Sequence, residues 1–259
     1  QLYWRAPYIE SQTSIISANE LFPKMGVYPT SYALNLLYPT VQPFPLLDYW
    51  FYPLQKYFPN NVSQMAEGMP LSAMKWYSEY EADSRNSLVI NWATGNAHCL
   101  WMLSSNDRYN PLLDTNTRLA LPASNLDRIV DADNSVMQNP LAFGGEEAHG
   151  WCYYYETADL ARQFQRWDKV IELYEEAKNL NLDPGNGIEL MPFIEGYAHM
   201  GDLDKAMQLT INAKSRNEDM RNFLCDNWNR IAKDIDLNPS SNYTFNEFNQ
   251  EERCFELIQ

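Results

Sequence analysis

The chain has 259 residues, 45% of them hydrophobic and 20% charged, which is enough for one large domain or two ordinary ones. Its formal net charge of −15 excludes nucleic acid as a favoured partner and disfavours an anionic membrane surface, because like charges repel. No apolar run reaches the roughly 18 residues of a bilayer span. The chain begins at Gln1 without a signal peptide, so we expect a fragment of a longer protein or a mature product.

The first 60 residues are rich in aromatic side chains and proline, with 14 of the 36 aromatic residues and 8 of the 15 prolines. Proline fixes φ and removes a backbone donor, so this composition predicts short strands and turns instead of long helices. Residues 13–17 (TSIIS) are typical of a short buried strand. Residues 31–38 (SYALNLLY) predict one or two helical turns that end before Pro39.

A β-hairpin is predicted over residues 87–103, where two β-rich apolar runs flank the turn sequence ATGNA. A loop-rich bridge follows, in which PASNLDRIV predicts a short helix capped by Ser124. Residues 138–145 are typical of a linker. We therefore assign residues 1–145 to a mixed α/β domain of short strands and loops.

From Glu146 the apolar spacing changes to the helical period of about 3.6 residues. The sequence DPGNG interrupts the helical pattern, Asp202 is the expected N-cap of a later helix, and Pro192 predicts a kink or a helix start. The predicted domain spans 146–237, and a polar tail over 238–259 is expected to be partly ordered at best. Five helices are predicted, within residues 146–167, 167–180, 188–201, 202–215 and 218–235.

Two of these helices repeat one pattern at an offset of 36 residues. Small residues recur where antiparallel helices must approach closely. The segments RWDKVIELYEEAKNL and YAHMGDLDKAMQL resemble the tetratricopeptide repeat (TPR), a helix pair of about 34 residues, although Gln165 stands where that family has glycine. The predicted fold class is α+β, an aromatic and proline-rich module with a hairpin followed by a TPR-like antiparallel helical array. The equivalent positions are Val170 with Ala206, Tyr174 with Thr210 and Ala177 with Ala213.

A wider resemblance covers most of the chain. The segments LYWRAPYIESQTSIIS, SLVINWATGNAHCLWML, LALPASNLDRI and EEAHGWCYYYETADLARQ are similar to the soluble C-terminal region of large bacterial membrane proteins. Those proteins carry an N-terminal multi-spanning part that resembles protein-mannosyltransferase-type glycosyltransferases. The resemblance implies an extracytoplasmic domain that is attached to the membrane through a missing N-terminal multi-spanning region.

The sequence contains few motifs that are typical of catalytic, cofactor-binding or metal-binding sites. The sequence contains no GxGxxG, GxxxxGK[ST] or GxSxG motif, so we expect no cofactor. His98 is a weak catalytic candidate, and Glu146 with His149 could bind a metal only weakly, so we expect no metal site. The four cysteines lack CxxC spacing; we expect buried free thiols, with disulfides as the alternative in an oxidising compartment. They are Cys99, Cys152, Cys225 and Cys254.

A binding groove is the more specific prediction. In a TPR arrangement the first helix of each pair lines the concave face, which could hold a peptide or glycan acceptor unless the N-terminal domain fills it. The predicted groove residues are Tyr155, Asp159, Arg162, Gln163, Met191, Glu195 and His199.

The sequence thus favours a non-catalytic, extracytoplasmic accessory domain of a membrane-bound, glycosyltransferase-like protein. The alternatives are a TPR-type scaffold for protein–protein interaction and a carboxylate-dependent enzyme that acts on glycans.

Overall fold

The computed structural model describes residues 1–19, 26–38, 40–92, 99–130, 148–237 and 243–254. Their strands are β1 Thr13–Ser17, β2 Tyr49–Pro53, β3 Pro70–Lys75, β4 Ser78–Asp83, β5 Ser87–Trp92 and β6 Leu100–Leu103. The helices are α1 Leu2–Arg5, α2 Val27–Leu37, α3 Leu54–Tyr57, α4 Thr115–Ala120, α5 Trp151–Gln163, α6 Trp167–Asn179, α7 Met191–His199, α8 Leu203–Arg216, α9 Arg221–Asp234 and α10 Tyr243–Glu251. None of these helices has both the length and the apolar character needed to cross a bilayer.

A four-stranded sheet of order β2-β1-β5-β6 lies at the centre of the N-terminal part. Strand β1 pairs in parallel with β2 and β5, and β6 is antiparallel to β5. Successive residues of β1 point to opposite faces, so Ile15 joins an apolar cluster with Leu34 of α2. Its neighbour Ile16 joins a larger cluster that reaches into α5 to α10. Both faces of the sheet are therefore buried, as parallel strands require.

The strand at 13–17 and the antiparallel pairing within 87–103 are confirmed. The predicted turn between β5 and β6 lies in 93–98, outside the described residues. A second hairpin, β3 with β4, was not predicted. Its strands are only partly buried, so their sequences lack the strong apolar signal of a core strand.

Two local predictions were wrong in detail. Helix α2 begins at Val27, four residues before the predicted start, and holds Pro29 in its first turn, where no intrahelical N–H bond is lost. The predicted helix after Ser124 is a single 3₁₀ turn, and its cap is Asn125, whose side chain accepts from the backbone of Asp127. The hydroxyl of Ser124 instead accepts a hydrogen bond from a backbone N–H of β5.

Helices α5 to α9 confirm the five helices of the sequence pattern. Helix α5 packs on α6 and α7 packs on α8; because only a few residues join the members of each pair, the paired helices run antiparallel. Pro192 is the second residue of α7, so it marks a helix start and not a kink. Asp202 caps α8 by accepting from the N–H of Lys205.

The turns within the two helix pairs are the same structure, 36 residues apart. At the end of α5 the N–H of Arg166 donates to the carbonyl of Ala161, and the N–H of Gln165 donates to the carbonyl of Arg162. These two bonds form a Schellman motif. After α7 the same two bonds join Asp202 to Tyr197 and Gly201 to Ala198.

The second residue after each of these helices adopts a left-handed backbone, with φ of 56° at Gln165 and 83° at Gly201. Left-handed geometry favours glycine because a Cβ crowds the following carbonyl. We expect Gln165→Gly to raise the free energy of unfolding by about 0.5–1 kcal/mol and Gly201→Ala to lower it by about 1 kcal/mol. Urea unfolding of the two variants checks this; equal signs for both would contradict the equivalence of the turns.

Small residues allow the repeated helices to approach. Ala177, Ala206 and Ala213 are fully buried. A Cβ added at Gly196 of α7 would lie 2.7 Å from a methyl carbon of Val170 on α6. The predicted role of small residues at helix contacts is therefore confirmed for these positions.

Residues 243–254, the described part of the predicted tail, are packed against the helical array. Phe245 and Phe248 of α10 are buried and pack against Trp228 of α9. A disulfide joins Cys254 to Cys225. The prediction followed the polar composition of the tail and missed its two buried phenylalanines and its disulfide bond.

The N-terminal part and the helical array share one apolar core. A second disulfide joins Cys99, beside β6, to Cys152 on α5. The expectation of free thiols was therefore wrong, since all four cysteines are paired. The predicted linker and the domain boundary at 145 lie outside the described residues, so the division into two domains stays a prediction.

Candidate functional site

Two of the predicted groove residues, Asp159 and Gln163, lie at the contact between the N-terminal part and the helical array. Arg5 of α1 is fully buried and donates to the carboxylate of Asp159 on α5. Its Nη1 also donates to Oε1 of Gln163 at 2.9 Å. Gln163 in turn donates to the carbonyl of Leu126 at 2.8 Å. The N-terminal part therefore covers this end of α5 and joins it through side-chain hydrogen bonds.

The same carboxylate continues a chain of charges into the array. Arg162 donates through Nε to Oδ1 of Asp159 at 2.8 Å and through Nη1 to Oε2 of Glu195 at 3.2 Å. Arg230 of α9 donates two hydrogen bonds, of 2.7 and 2.8 Å, to the carboxylate of Glu195. We call the five residues Arg5, Asp159, Arg162, Glu195 and Arg230 the buried charge network.

Charge balance within the network sets its protonation states. Burial alone would raise the pKa of the Asp159 carboxyl, but the guanidinium groups of Arg162 and Arg5 outweigh burial and lower that pKa. The pKa of Glu195 is lowered in the same way by Arg230 and Arg162, against the effect of burial. Both carboxylates therefore stay ionised at neutral pH and act as acceptors for arginine.

The space beside the network is small. Tyr155 and Met191 are buried and line, with Asp107, a cavity of about 30 Å³. A cavity of that size holds one or two water molecules, not a peptide or a sugar. The predicted groove therefore offers no open space for an acceptor at Tyr155 and Met191.

His199 lies apart from the other groove residues, at the end of α7. Its ring stacks on Trp167 with centroids 4.0 Å apart, and burial lowers its pKa. Ligand atoms of His199, Glu195 and Asp234 lie within 4.8 Å of one another. The Glu195 carboxylate is already neutralised by two arginines, which disfavours a divalent cation at the same oxygens.

Of the other two histidines, only His149 lies within the described residues, and its recorded contacts are with aromatic rings. His149 stacks on Tyr153 with centroids 3.5 Å apart and meets Trp4 edge-on. Its predicted partner Glu146, and the candidate His98, lie outside the described residues.

An open cleft of about 630 Å³ lies where the N-terminus meets the helical array. That volume is within the usual range for a small-ligand site. Trp4 and Tyr153 meet edge-on at 5.4 Å, and Arg216 pairs with Asp183 through two bonds of 2.8 and 2.9 Å. The cleft thus combines aromatic surface with fixed polar groups. It is lined by Gln1, Trp4, Ala148, Gly150, Trp151, Cys152, Tyr153, Asp183, Pro184, Gly185 and Arg216.

Sequence reasoning missed this cleft. Nothing local in the sequence connects residue 1 with residue 216. The sequence DPGNG was interpreted as a helix stop, which it is, but its backbone also forms one wall of the cleft. Only long-range packing brings these residues together.

A buried carboxyl beside the Cys99–Cys152 bridge makes stability depend on pH. Burial raises the pKa of Glu156 to about 8, although Leu100 N–H donates to its Oε1 at 2.8 Å. The folded chain thus keeps a proton that the unfolded chain releases near the ordinary pKa. The contribution of Glu156 to the unfolding free energy should therefore fall as pH rises, by roughly 1.4 kcal/mol per pH unit between about 5.5 and 7.

The Glu156→Gln variant is the matched test, because an amide keeps the shape and cannot ionise. Chemical unfolding at a series of pH values should show a shallower decline for the variant. Its stability should approach that of the wild type at about pH 4.5, where both carry a neutral side chain. Parallel pH profiles for the two proteins would show that Glu156 does not titrate as described.

Comparisons of the chain with known protein families, with curated proteins and with solved structures found no match. The geometry of the described residues and the resemblance seen in the sequence are therefore the basis for a functional proposal. Two features are available for it, the cysteine pairing and the open cleft.

Proposed function

We propose that this chain is a non-catalytic, extracytoplasmic accessory domain of a membrane-bound, glycosyltransferase-like protein. The observation that carries the proposal is the pairing of all four cysteines into two disulfides. Stable disulfides form in oxidising compartments and are rare in a reducing cytosol. The glycosyltransferase-like parent is supported by the sequence resemblance alone.

The position of one bridge supports a structural role for it. Cys99–Cys152 closes a separation of 53 residues and links the central sheet to α5. Cys99 is fully buried, so the bridge joins two parts of one core. A domain that works outside the cytoplasm benefits from such a constraint on its unfolded state.

The open cleft supports a binding role. Aromatic rings stack on sugar or peptide surfaces, and the Arg216–Asp183 pair offers both donors and acceptors. In this proposal the cleft holds part of the acceptor while a separate membrane-embedded part performs the transfer. Trp4→Ala and Arg216→Ala would then weaken acceptor binding without changing the fold.

Topology in the source cells tests the proposal directly. Intact spheroplasts are treated with external protease, and the domain is followed with an antibody, using a cytoplasmic protein as the control. The proposal predicts that the domain is cleaved while the control survives, and that the full protein stays with membranes after carbonate extraction. A protected domain, or one released by carbonate, would contradict it.

A TPR-type interaction scaffold is the second candidate, favoured by two consecutive helix pairs whose connecting turns lie 36 residues apart. We infer that α5 to α8 form two TPR-like units. Partner capture should then depend on the end of α7, where Met200 is 56% exposed and His199→Ala with Met200→Ser removes two side chains while the arginine partners of Glu195 stay in place. Unchanged capture by this double variant would reject the scaffold role.

A further inference from the structure

An exposed aromatic surface lies at the turn of the β3–β4 hairpin. We call it the aromatic tip and define it by Tyr28, Tyr32, Met74, Lys75, Trp76 and Tyr77. Met74, Trp76 and Tyr77 are 70%, 78% and 83% exposed, unusually high for large apolar side chains. Contiguous exposed apolar patches mark sites of interaction with proteins, ligands or membranes.

The tip is held in one arrangement by its own contacts. The rings of Tyr32 and Trp76 lie nearly parallel, with centroids 6.5 Å apart. The ammonium of Lys75 lies 4.4 Å from the ring centre of Tyr28 and 5.5 Å from that of Trp76. Cation–π contacts of this kind fix the rings without covering them.

The backbone of the aromatic tip is strained at Trp76, whose side chain is mostly exposed. Lys75 pairs with Ser78, so Trp76 and Tyr77 form a two-residue turn. Trp76 has a φ of 53°, a conformation that favours glycine at this position and is unfavourable for a bulky residue. A tryptophan that is strained and mostly solvent-exposed adds little to folding, which indicates a role in contact with another surface.

The distribution of apolar groups indicates a lipid surface. Successive side chains of β3 point to opposite faces, so Met74 projects from the face opposite Lys75 and the Tyr28 ring. A sugar or peptide would stack on one face, whereas lipid can surround a protruding turn on both. Tryptophan and tyrosine concentrate at the membrane–water interface, and lysine can extend its ammonium to the headgroups.

The local charge disfavours an anionic membrane. The β3–β4 hairpin holds one basic residue, Lys75, and three acidic residues on β4, Glu79, Glu81 and Asp83, and the whole chain has a net charge of −15. Lys75 is the one charged residue of the aromatic tip itself, and the carboxylates further along the hairpin would repel anionic lipid. A zwitterionic headgroup layer fits both observations.

We propose that the aromatic tip inserts into the interfacial region of a zwitterionic lipid bilayer and docks the domain against the membrane. This goes beyond the proposed function and does not depend on it. The tip would bind lipid whatever the parent protein does, and a domain tethered through another segment would gain a fixed orientation from the second contact.

Co-sedimentation with large phosphatidylcholine vesicles tests the proposal on the full chain. We expect the wild-type protein to bind, and Trp76→Gly combined with Tyr77→Ser to weaken binding about tenfold or more, since two interfacial rings are lost. Ile211→Ser is the matched control, because Ile211 is 62% exposed on α8 and lies outside the tip. That variant should bind as the wild type does.

Thermal unfolding of Trp76→Gly excludes a folding artefact, because glycine suits the turn and its melting temperature should match or exceed that of the wild type. Four results would overturn the proposal. They are no binding of the wild type at millimolar lipid, equal loss in the Ile211→Ser control, binding that requires anionic lipid, and capture of immobilised glycan in place of vesicles by the same residues.

Discussion

Replacing Asp159 by asparagine is expected to lower the free energy of unfolding by about 3–5 kcal/mol. The substitution removes the negative charge that lies between Arg5, which is fully buried, and Arg162. An uncompensated guanidinium in the core loses its hydration without gaining a counter-charge. Urea unfolding followed by tryptophan fluorescence measures the loss.

Two controls separate buried charge from general damage. The double variant Arg5→Met with Asp159→Leu removes the fully buried guanidinium together with its carboxylate and leaves Arg162 paired with Glu195, so it should be less destabilised than the single variant. Glu172→Gln breaks an exposed pair with Lys169, 3.0 Å apart on α6, and should cost under about 0.5 kcal/mol. A loss below about 1 kcal/mol for Asp159→Asn would show that the network does not hold the two parts together.

The second large effect is expected from removing the disulfides. Loop-closure entropy predicts a loss of about 4 kcal/mol for Cys99→Ala with Cys152→Ala, since that bridge spans 53 residues. The pair Cys225→Ala with Cys254→Ala spans 29 residues and should lose about 3.5 kcal/mol. Alanine avoids placing a hydroxyl at fully buried Cys99.

A reducing agent supplies the control for both pairs. Dithiothreitol should lower the unfolding midpoint of the wild type strongly and leave a variant without cysteines unchanged. Each double variant should respond only through its remaining bridge. A wild-type midpoint that is the same with and without reductant would contradict a stabilising role for the bridges.

The helical half of the fold could be predicted from sequence because its signals are local. The spacing of Val170, Tyr174 and Ala177 and the cap at Asp202 each act within a few residues. The parallel pairing of β1 with β2 and β5 could not be predicted, because strand order depends on contacts between distant segments.

The candidate site likewise combines contacts within the helical array, which the sequence indicated, with contacts to distant segments, which it did not. The TPR resemblance placed Asp159, Arg162 and Glu195 on one predicted groove face, and ion pairs join the three in the structure. It could not show that Arg5, more than 150 residues away in the chain, would cover them. Cysteine pairing was equally out of reach, because four cysteines allow three pairings and spacing alone favours none.

Non-reducing peptide mapping of the native protein tests the central claim most directly. Free thiols are alkylated in intact source cells before lysis, and the digested protein is analysed by mass spectrometry. An extracytoplasmic, disulfide-bonded domain predicts linked peptides for Cys99 with Cys152 and for Cys225 with Cys254, with no alkylated cysteine. Recovery of the four cysteines in alkylated form would contradict it.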